Sequence, residues 1–327
     1  MIGSKALMTT HPDRPAPSAE WPIAAAMLAF SPSQDASAAV WTSQLAQVRF
    51  EGFDHVDLTD GWLRPGDLGA ERLDELRGVL DRVGLRVAAI SAIRRSVIDP
   101  AAGEENLAYS HRTIDAAAAL GIPIVSVGLH RPLADNQRDV LWFWTEPGPV
   151  DDTDEATWTL AAARIRELGD HAASLGIQLS LEMYEDTLIG TVDGALRLVR
   201  DVGLPNVGLN PDLGNLFRLH RDIDDFVAAA TACAPVANYW HVKSYFRDED
   251  RHAGFVTTVP APMEFGSMNY RAAITAAIAA GYDAPFCVEH YGGDGLSVSA
   301  RNAEYVRRMI AVATGEAERL VLEGAFR

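Results

Sequence analysis

The sequence predicts one α/β domain of the (β/α)8 type, a single-domain TIM barrel. Three observations carry this. Eight short apolar runs alternate with eight helical segments along most of the 327 residues. Most of the runs are continuously apolar, as strands are when both faces of a parallel sheet are covered. Four of the later runs end in a residue able to ligate a metal, at the face where such barrels carry their chemistry. A doubly wound open sheet is the rival arrangement. Its Gly-rich phosphate fingerprint is absent after the first strand, where the sequence reads Ser31-Pro32-Ser33-Gln34.

Residues 1–20 are rich in Pro, Ser, Thr and charge and lack the apolar stretch of a signal peptide. They are expected to be a disordered leader, with Met8 as an alternative start. The barrel is expected over 21–316 and a C-terminal tail over 317–327. Strand one lies in 21–30, then a helix over 36–48 with Asp35 as N-cap. Strand two, 53–58, alternates, and the helix over 68–83 stops at Gly84. Strand three covers 86–90. A helix over 104–120 stops at Gly121, and strand four, 122–129, delivers His130.

Residues 131–152 break the rhythm. This insert carries Trp142, Phe143 and Trp144 in a row, then Pro147, Gly148 and Pro149. Bulky aromatics oppose disorder, and a connection of this length is expected to be functional. Beyond it, a long helix over 155–175 stops at Gly176, and strand five covers 177–181. A helix over 192–202 stops at Gly203, strand six starts at Val207, a helix covers 223–233, and strand seven runs into His241. Residues 245–267 are expected to form a second long loop. A helix over 270–280 stops at Gly281, strand eight runs into Glu289, and a last helix starts near Ser299.

Hydrophobic content of 48% and charged content of 22% are ordinary for a soluble globular chain. No apolar run approaches a membrane span. The net charge of -17 disfavours nucleic acid and anionic membrane as partners. Cys233 and Cys287 are the only cysteines, both in apolar segments. A disulfide framework is therefore excluded, and a cytoplasmic location is expected.

The strand ends carry the chemistry. Residues 179–181 run into Glu182, 207–211 into Asp212, 237–240 into His241 and 286–288 into Glu289. A lone carboxylate at a strand end is usually a helix cap or a surface charge. Four ligand types in this order converge on one point if the strands lie side by side. Two glutamates, an aspartate and a histidine suit one borderline-hard divalent ion, manganese first, with magnesium, cobalt or zinc as alternatives. His130 is expected in the same site as a catalytic group. Lys243, two residues after His241, points to the same rim and is expected to touch substrate. Glu185 and Asp186 are expected to cap the following helix. Trp142 or Trp144 in the insert is expected to cover the metal site, and Trp144 to contact substrate.

Leu181-Glu182, Asn210-Pro211-Asp212-Leu213-Gly214-Asn215, His241-Val242-Lys243 with Arg247, and Val288-Glu289-His290-Tyr291-Gly292 carry a family resemblance. From about strand one to the last helix, the chain resembles the sugar phosphate isomerase/epimerase family, the xylose-isomerase-like TIM barrels. The resemblance implies that Glu182, Asp212, His241 and Glu289 bind one divalent metal. It also implies that Glu182 and Glu289 move protons and that Arg247 contacts substrate. The sequence departs from the sugar epimerases at Asn215, where those enzymes commonly have a histidine. Asparagine hydrogen-bonds but cannot titrate, and Asn215 is expected to bind substrate. The DNA-repair endonucleases of the same superfamily use several zinc ions and more histidines. Only His130, His241 and His290 fall at expected strand ends here, which argues against DNA.

An ion held this way polarises a carbonyl and the hydroxyl beside it, which acidifies the adjacent C–H. Flanking glutamates can take and return that proton. Return to the opposite face gives epimerisation, return to the neighbouring carbon gives isomerisation, and loss of a β-substituent gives elimination. The first expectation is an isomerase or epimerase on a non-phosphorylated sugar or sugar derivative, because no Gly-rich phosphate cradle is visible. The second is a lyase. Family members dehydrate keto-inositols or dehydroshikimate, or form the larger subunit of C-glycoside deglycosidases, and Asn215 and the aromatic insert tilt that way. The third is a barrel that binds sugar or supports a partner without turnover. The expected ligand is a small carbohydrate or glycoside, and the expected assembly a homo-oligomer, with a smaller second subunit as an option.

Overall fold

The computed structural model describes residues 18–250 and 252–323. Residues 1–17, which carry most of the expected leader and Met8, lie outside the described residues, as do the last four of the tail. Strands and helices alternate as β1 (Ile23–Ala26), α1 (Ala38–Phe50), β2 (His55–Thr59), α2 (Ala70–Val83), β3 (Arg86–Ala92), α3 (Gly103–Leu120) and β4 (Ile124–Gly128). The insert contributes a single turn, α4 (Asp135–Arg138), and leads to α5 (Glu155–Ser174), β5 (Gln178–Glu182), α6 (Val192–Val202) and β6 (Val207–Asn210). Then follow α7 (Gly214–Phe217), α8 (Phe226–Cys233), β7 (Trp240–Val242), β8 (Ser244–Asp250), β9 (Phe255–Ala261), α9 (Tyr270–Ala279), β10 (Phe286–Val288), α10 (Gly295–Ala313) and α11 (Glu316–Leu322).

Eight of these strands form one parallel sheet in the order β6-β5-β4-β3-β2-β1-β10-β7. Its two ends meet at a thin seam. One parallel bridge joins Leu209 to Ala237, and the Asn210 side chain accepts a hydrogen bond from the His241 backbone N–H at 2.7 Å. The expected TIM barrel is thus the observed one.

Local chemistry sets the boundaries. Asp154, Thr191, Asp225, Asn269 and Asp294 accept backbone N–H groups as side-chain N-caps. α2, α3 and α6 end on Gly84, Gly121 and Gly203, whose φ of 76°, 71° and 67° lies in the left-handed region that favours glycine. Three expectations need correction. Ser37, not Asp35, sits at the N-cap of α1. Thr191, not Glu185 or Asp186, caps α6. The loop expected over 245–267 contains an antiparallel hairpin, β8 on β9, outside the barrel sheet. Part of the expected tail is helical, as α11.

Period-two alternation sorts the barrel side chains. Ile23, Val56, Leu58, Val125, Leu179, Leu181, Trp240, Phe286 and Val288 face outward into the apolar layer beneath the helices. Small residues, Ala24, Ala26, Ala88 and Ala89, fill the interior together with Ile124, Tyr239 and Cys287. Cys233 and Cys287 are buried free thiols. The same alternation that sends Trp240 and Val288 outward sends His241 and Glu289 inward. Among the described residues no helix is long and apolar enough to cross a membrane.

Candidate metal centre and active site

Glu182 ends β5, Asp212 follows β6, His241 lies in β7 and Glu289 follows β10. In the sheet order these strands form one continuous arc across the seam. All four side chains are buried. Ligand atoms of Glu182, Asp212 and His241 lie within 4.8 Å of one another. Glu289 joins them through His241 Nδ1, which lies 2.8 Å from its Oε1 and 3.9 Å from Glu182 Oε2.

The histidine is aimed from behind. Asp57 is fully buried and sits where the β2–β3 register shifts, an irregularity that re-aims a side chain. Its Oδ2 accepts from Tyr239 Oη at 2.6 Å and Ser91 Oγ at 2.8 Å, and lies 3.5 Å from His241 Nε2. A carboxylate facing Nε2 keeps a hydrogen there, so that Nδ1 would be the nitrogen to give its lone pair to an ion, the arrangement common behind metal-bound histidines.

Lys243 enters the same cluster. Its Nζ donates to Asp212 Oδ2 and, at 2.7 Å, to Glu289 Oε2. Gly214 makes this possible, because a Cβ there would stand 2.6 Å from Lys243 Cγ. Asn215 Nδ2 donates to the Met183 carbonyl at 3.0 Å and to Glu182 Oε1 at 3.3 Å, so it steadies Glu182.

These neighbours push the carboxyls apart. Burial raises Glu182 to about 7, and burial also raises Asp212. Burial opposes charge on Glu289 as well, but Lys243 and His241 outweigh it and hold that carboxyl well below the usual range. Burial likewise opposes charge on His241 and is outweighed by Glu289 and Asp57.

The residues fit a divalent ion. His241 Nδ1 and Asp212 Oδ1 are buried and have no hydrogen-bond partner, although Nδ1 lies in close contact with Glu289. Three carboxylates face only one ammonium, and the donor set is oxygen and imidazole nitrogen, which suits Mn, Mg, Co or Zn.

Above this floor lies a second buried layer. His130 is 2% exposed, stacks on Tyr184 with centroids 4.4 Å apart, and leaves its Nδ1 without a partner. Its ring lies so close to Gly128 that no Cβ would fit there. Burial, with Arg94, Lys243 and Arg218 nearby, pushes its pKa well below the ordinary value, so the ring is neutral. Arg94 takes a left-handed φ of 55° and donates to Tyr184 Oη at 3.1 Å.

The aromatic insert crosses this mouth. Trp144 is buried, donates from Nε1 to Thr258 Oγ1 at 3.0 Å, and packs edge-on to Tyr245 at 5.4 Å. It also lies 6.1 Å from Tyr291, whose ring stands 5.5 Å from Lys243 Nζ. Trp142 stacks on Trp144 and reaches Gly292. Beside His130 the insert leaves a cavity of about 30 Å³.

Arg247 is engaged by its own neighbours. Its Nε pairs with Glu249, and its Nη1 and Nη2 donate to the carbonyls of Phe217, Leu219 and Arg221. The buried cation under the insert is Arg218, which the sequence reading missed. Arg218 is fully buried and donates twice to Glu185, at 2.8 and 2.9 Å. Its guanidinium lies 4.7 Å from the Phe143 ring centroid and 5.0 Å from that of Trp144.

A parallel eight-stranded barrel with an acidic, imidazole-bearing cluster at its C-terminal mouth defines a class: TIM barrels with a candidate divalent-ion centre. The chain belongs to the xylose isomerase-like TIM barrel family, whose model matches residues 45–311. A xylose isomerase-like TIM barrel protein from Mycobacterium smegmatis, solved in complex with magnesium, is 46% identical, with a TM-score of 0.87 over 91% of this chain and 99% of that one. An L-ribulose 3-epimerase is 18% identical, with a TM-score of 0.67 over 91% of this chain and 97% of that chain. A 3-keto-D-glucoside 4-epimerase from E. coli in its apo form is 16% identical, with a TM-score of 0.63 over 88% and 99%. At those two lower identities the likeness shows the fold. No curated protein matches the chain in sequence.

Proposed function

We propose that this protein is a divalent-metal-dependent isomerase or epimerase that enolises a non-phosphorylated sugar or sugar derivative beside its carbonyl. The observation that carries this reading is the convergence of Glu182, Asp212, His241 and Glu289, with His241 Nδ1 aimed into the cluster beside Glu289. Family membership and the magnesium in the 46% identical relative support an ion at this place. When bound, the ion supplies Lewis acidity toward a carbonyl and its neighbouring hydroxyl. The chain's own residues do the rest. Glu182 and Glu289 sit at the two ends of the ligand arc, so each can take or return a proton at a carbon held between them. Asn215 fixes Glu182, and Lys243 fixes Glu289 and Asp212. Trp144 and Tyr291 shield the proton transfer from bulk water.

A lyase reading has one observation in its favour. Trp142, Trp144, Phe143 and Tyr291 form an apolar roof, which would accept a flat aglycone, and Asn215 cannot supply a proton. One experiment addresses both readings. The Mn-loaded protein is incubated in D2O with free ketoses, inososes and keto-glycosides. Deuterium is expected beside the carbonyl of at least one of them, and the uptake is expected to vanish on chelation. Release of an aglycone would select the lyase. No exchange and no release with any of them would leave a binding protein and overturn the reading.

A further inference from the structure

On the barrel exterior, α3 and α5 present a reciprocal quartet. His111 and Asp115 stand four apart on α3, and Glu167 and His171 stand four apart on α5. Each helix therefore offers one imidazole and one carboxylate on the same face. They pair crosswise. His111 Nε2 lies 3.0 Å from Glu167 Oε1, and His171 Nε2 lies 3.0 Å from Asp115 Oδ1. The remaining nitrogens, both Nδ1, face each other at 2.8 Å. The rings are tilted at 39° with centroids 4.9 Å apart.

Proton counting makes this arrangement informative. Each Nε2 faces an acceptor and so carries the ring hydrogen, which leaves each neutral ring with a bare Nδ1 lone pair. Two lone pairs at 2.8 Å repel unless a cation lies between them, either an added proton or a metal ion. Glu167 and Asp115 are 57% and 64% exposed at the side chain, so water screens their charge, and what favours a metal is the pair of converging imidazole lone pairs that a divalent transition ion takes together. A carboxylate holding the far nitrogen of each histidine is also the arrangement that orients metal-bound imidazoles. We propose that His111 and His171 form an exterior site for a divalent transition ion such as Zn2+, bound through both Nδ1 atoms and pinning α3 to α5. Two imidazoles on one tetrahedral ion stand about 3.3 Å apart, about half an ångström wider than here. The side chains are 27% and 26% exposed, so they can open by that amount and water can complete the coordination. Mg2+ is not expected there, because it prefers oxygen donors.

The site is independent of the reaction proposed for the barrel mouth. Its test is Zn2+ binding to the full chain by equilibrium dialysis, with circular dichroism as the fold control. His171→Gln is expected to bind one Zn2+ equivalent fewer than wild type. Asp212→Ala, which disables the barrel centre, is expected to keep the exterior equivalent. Glu167→Gln is expected to weaken that equivalent by about 10–100-fold. Equal Zn2+ stoichiometry in wild type and His171→Gln would overturn the proposal and leave a proton-bridged pair.

Discussion

Glu182→Gln and Glu289→Gln are each expected to lower kcat by about 10²–10⁴-fold, the range that a positioned acid or base contributes. The change keeps the shape of the side chain and removes its capacity to carry a proton. KM is expected to change far less at saturating Mn2+, because the amide oxygen can still face the ion while the proton transfer itself is lost. The two variants are not equivalent electrostatically. Glu289 lies between Lys243 Nζ and His241 Nδ1, so neutralising it leaves the buried Lys243 ammonium with one carboxylate fewer. Glu182 has an amide on its Oε1 and His241 Nδ1 at 3.9 Å, with no ammonium in hydrogen-bond contact, so its neutralisation is locally milder. Steady-state kinetics at saturating Mn2+ on the substrate identified by deuterium uptake checks both. A Gln variant at either position with near wild-type kcat would remove that glutamate from the proton path.

Glu185→Gln is expected to destabilise the fold by about 3–5 kcal/mol, the usual cost of leaving one partner of a buried ion pair uncompensated. Arg218 is 0% and Glu185 8% exposed at the side chain, and both Glu185 oxygens accept from the guanidinium. Burial opposes charge on Arg218, but Glu185 outweighs it and holds the group charged. Without the carboxylate, a cation is left beneath Phe143 and Trp144. Chemical denaturation gives the size of the loss. The double variant Glu185→Gln with Arg218→Met is expected to be more stable than Glu185→Gln alone, because no charge then stays buried. A single variant within about 0.5 kcal/mol of wild type would mean the pair is hydrated and the mouth far more open than described.

The barrel was legible because its signals are local and repeated. Apolar runs and left-handed glycines at helix ends each act within a few residues, as at Gly84 and Gly203. The four candidate ligands were legible because each stands at the end of a strand-like run, at the face where such barrels carry their chemistry. Arg218 was not, because an arginine just ahead of the polar run His220-Arg221-Asp222 reads as surface, and nothing nearby reveals that Glu185 and the insert bury it. Asp57 was hidden for the opposite reason. It sits inside a strand that reads as ordinary alternation, and its value lies in His241, 3.5 Å away in space and remote in the chain. The β8–β9 hairpin escaped because Arg247-Asp248-Glu249-Asp250 reads as a solvated loop, and its strands pair only with each other. The resemblance placed Arg247 at the substrate, but its guanidinium serves three loop carbonyls that hold the Arg218 segment in place.

The most direct measurement is the divalent-ion content of purified protein after dialysis against Mn2+, for wild type, Asp212→Ala and His241→Ala. One Mn2+ per chain is expected in the wild type and a large loss in both variants, since each removes one of the converging ligands. Full Mn2+ content in both variants would contradict a metal centre built on Glu182, Asp212, His241 and Glu289.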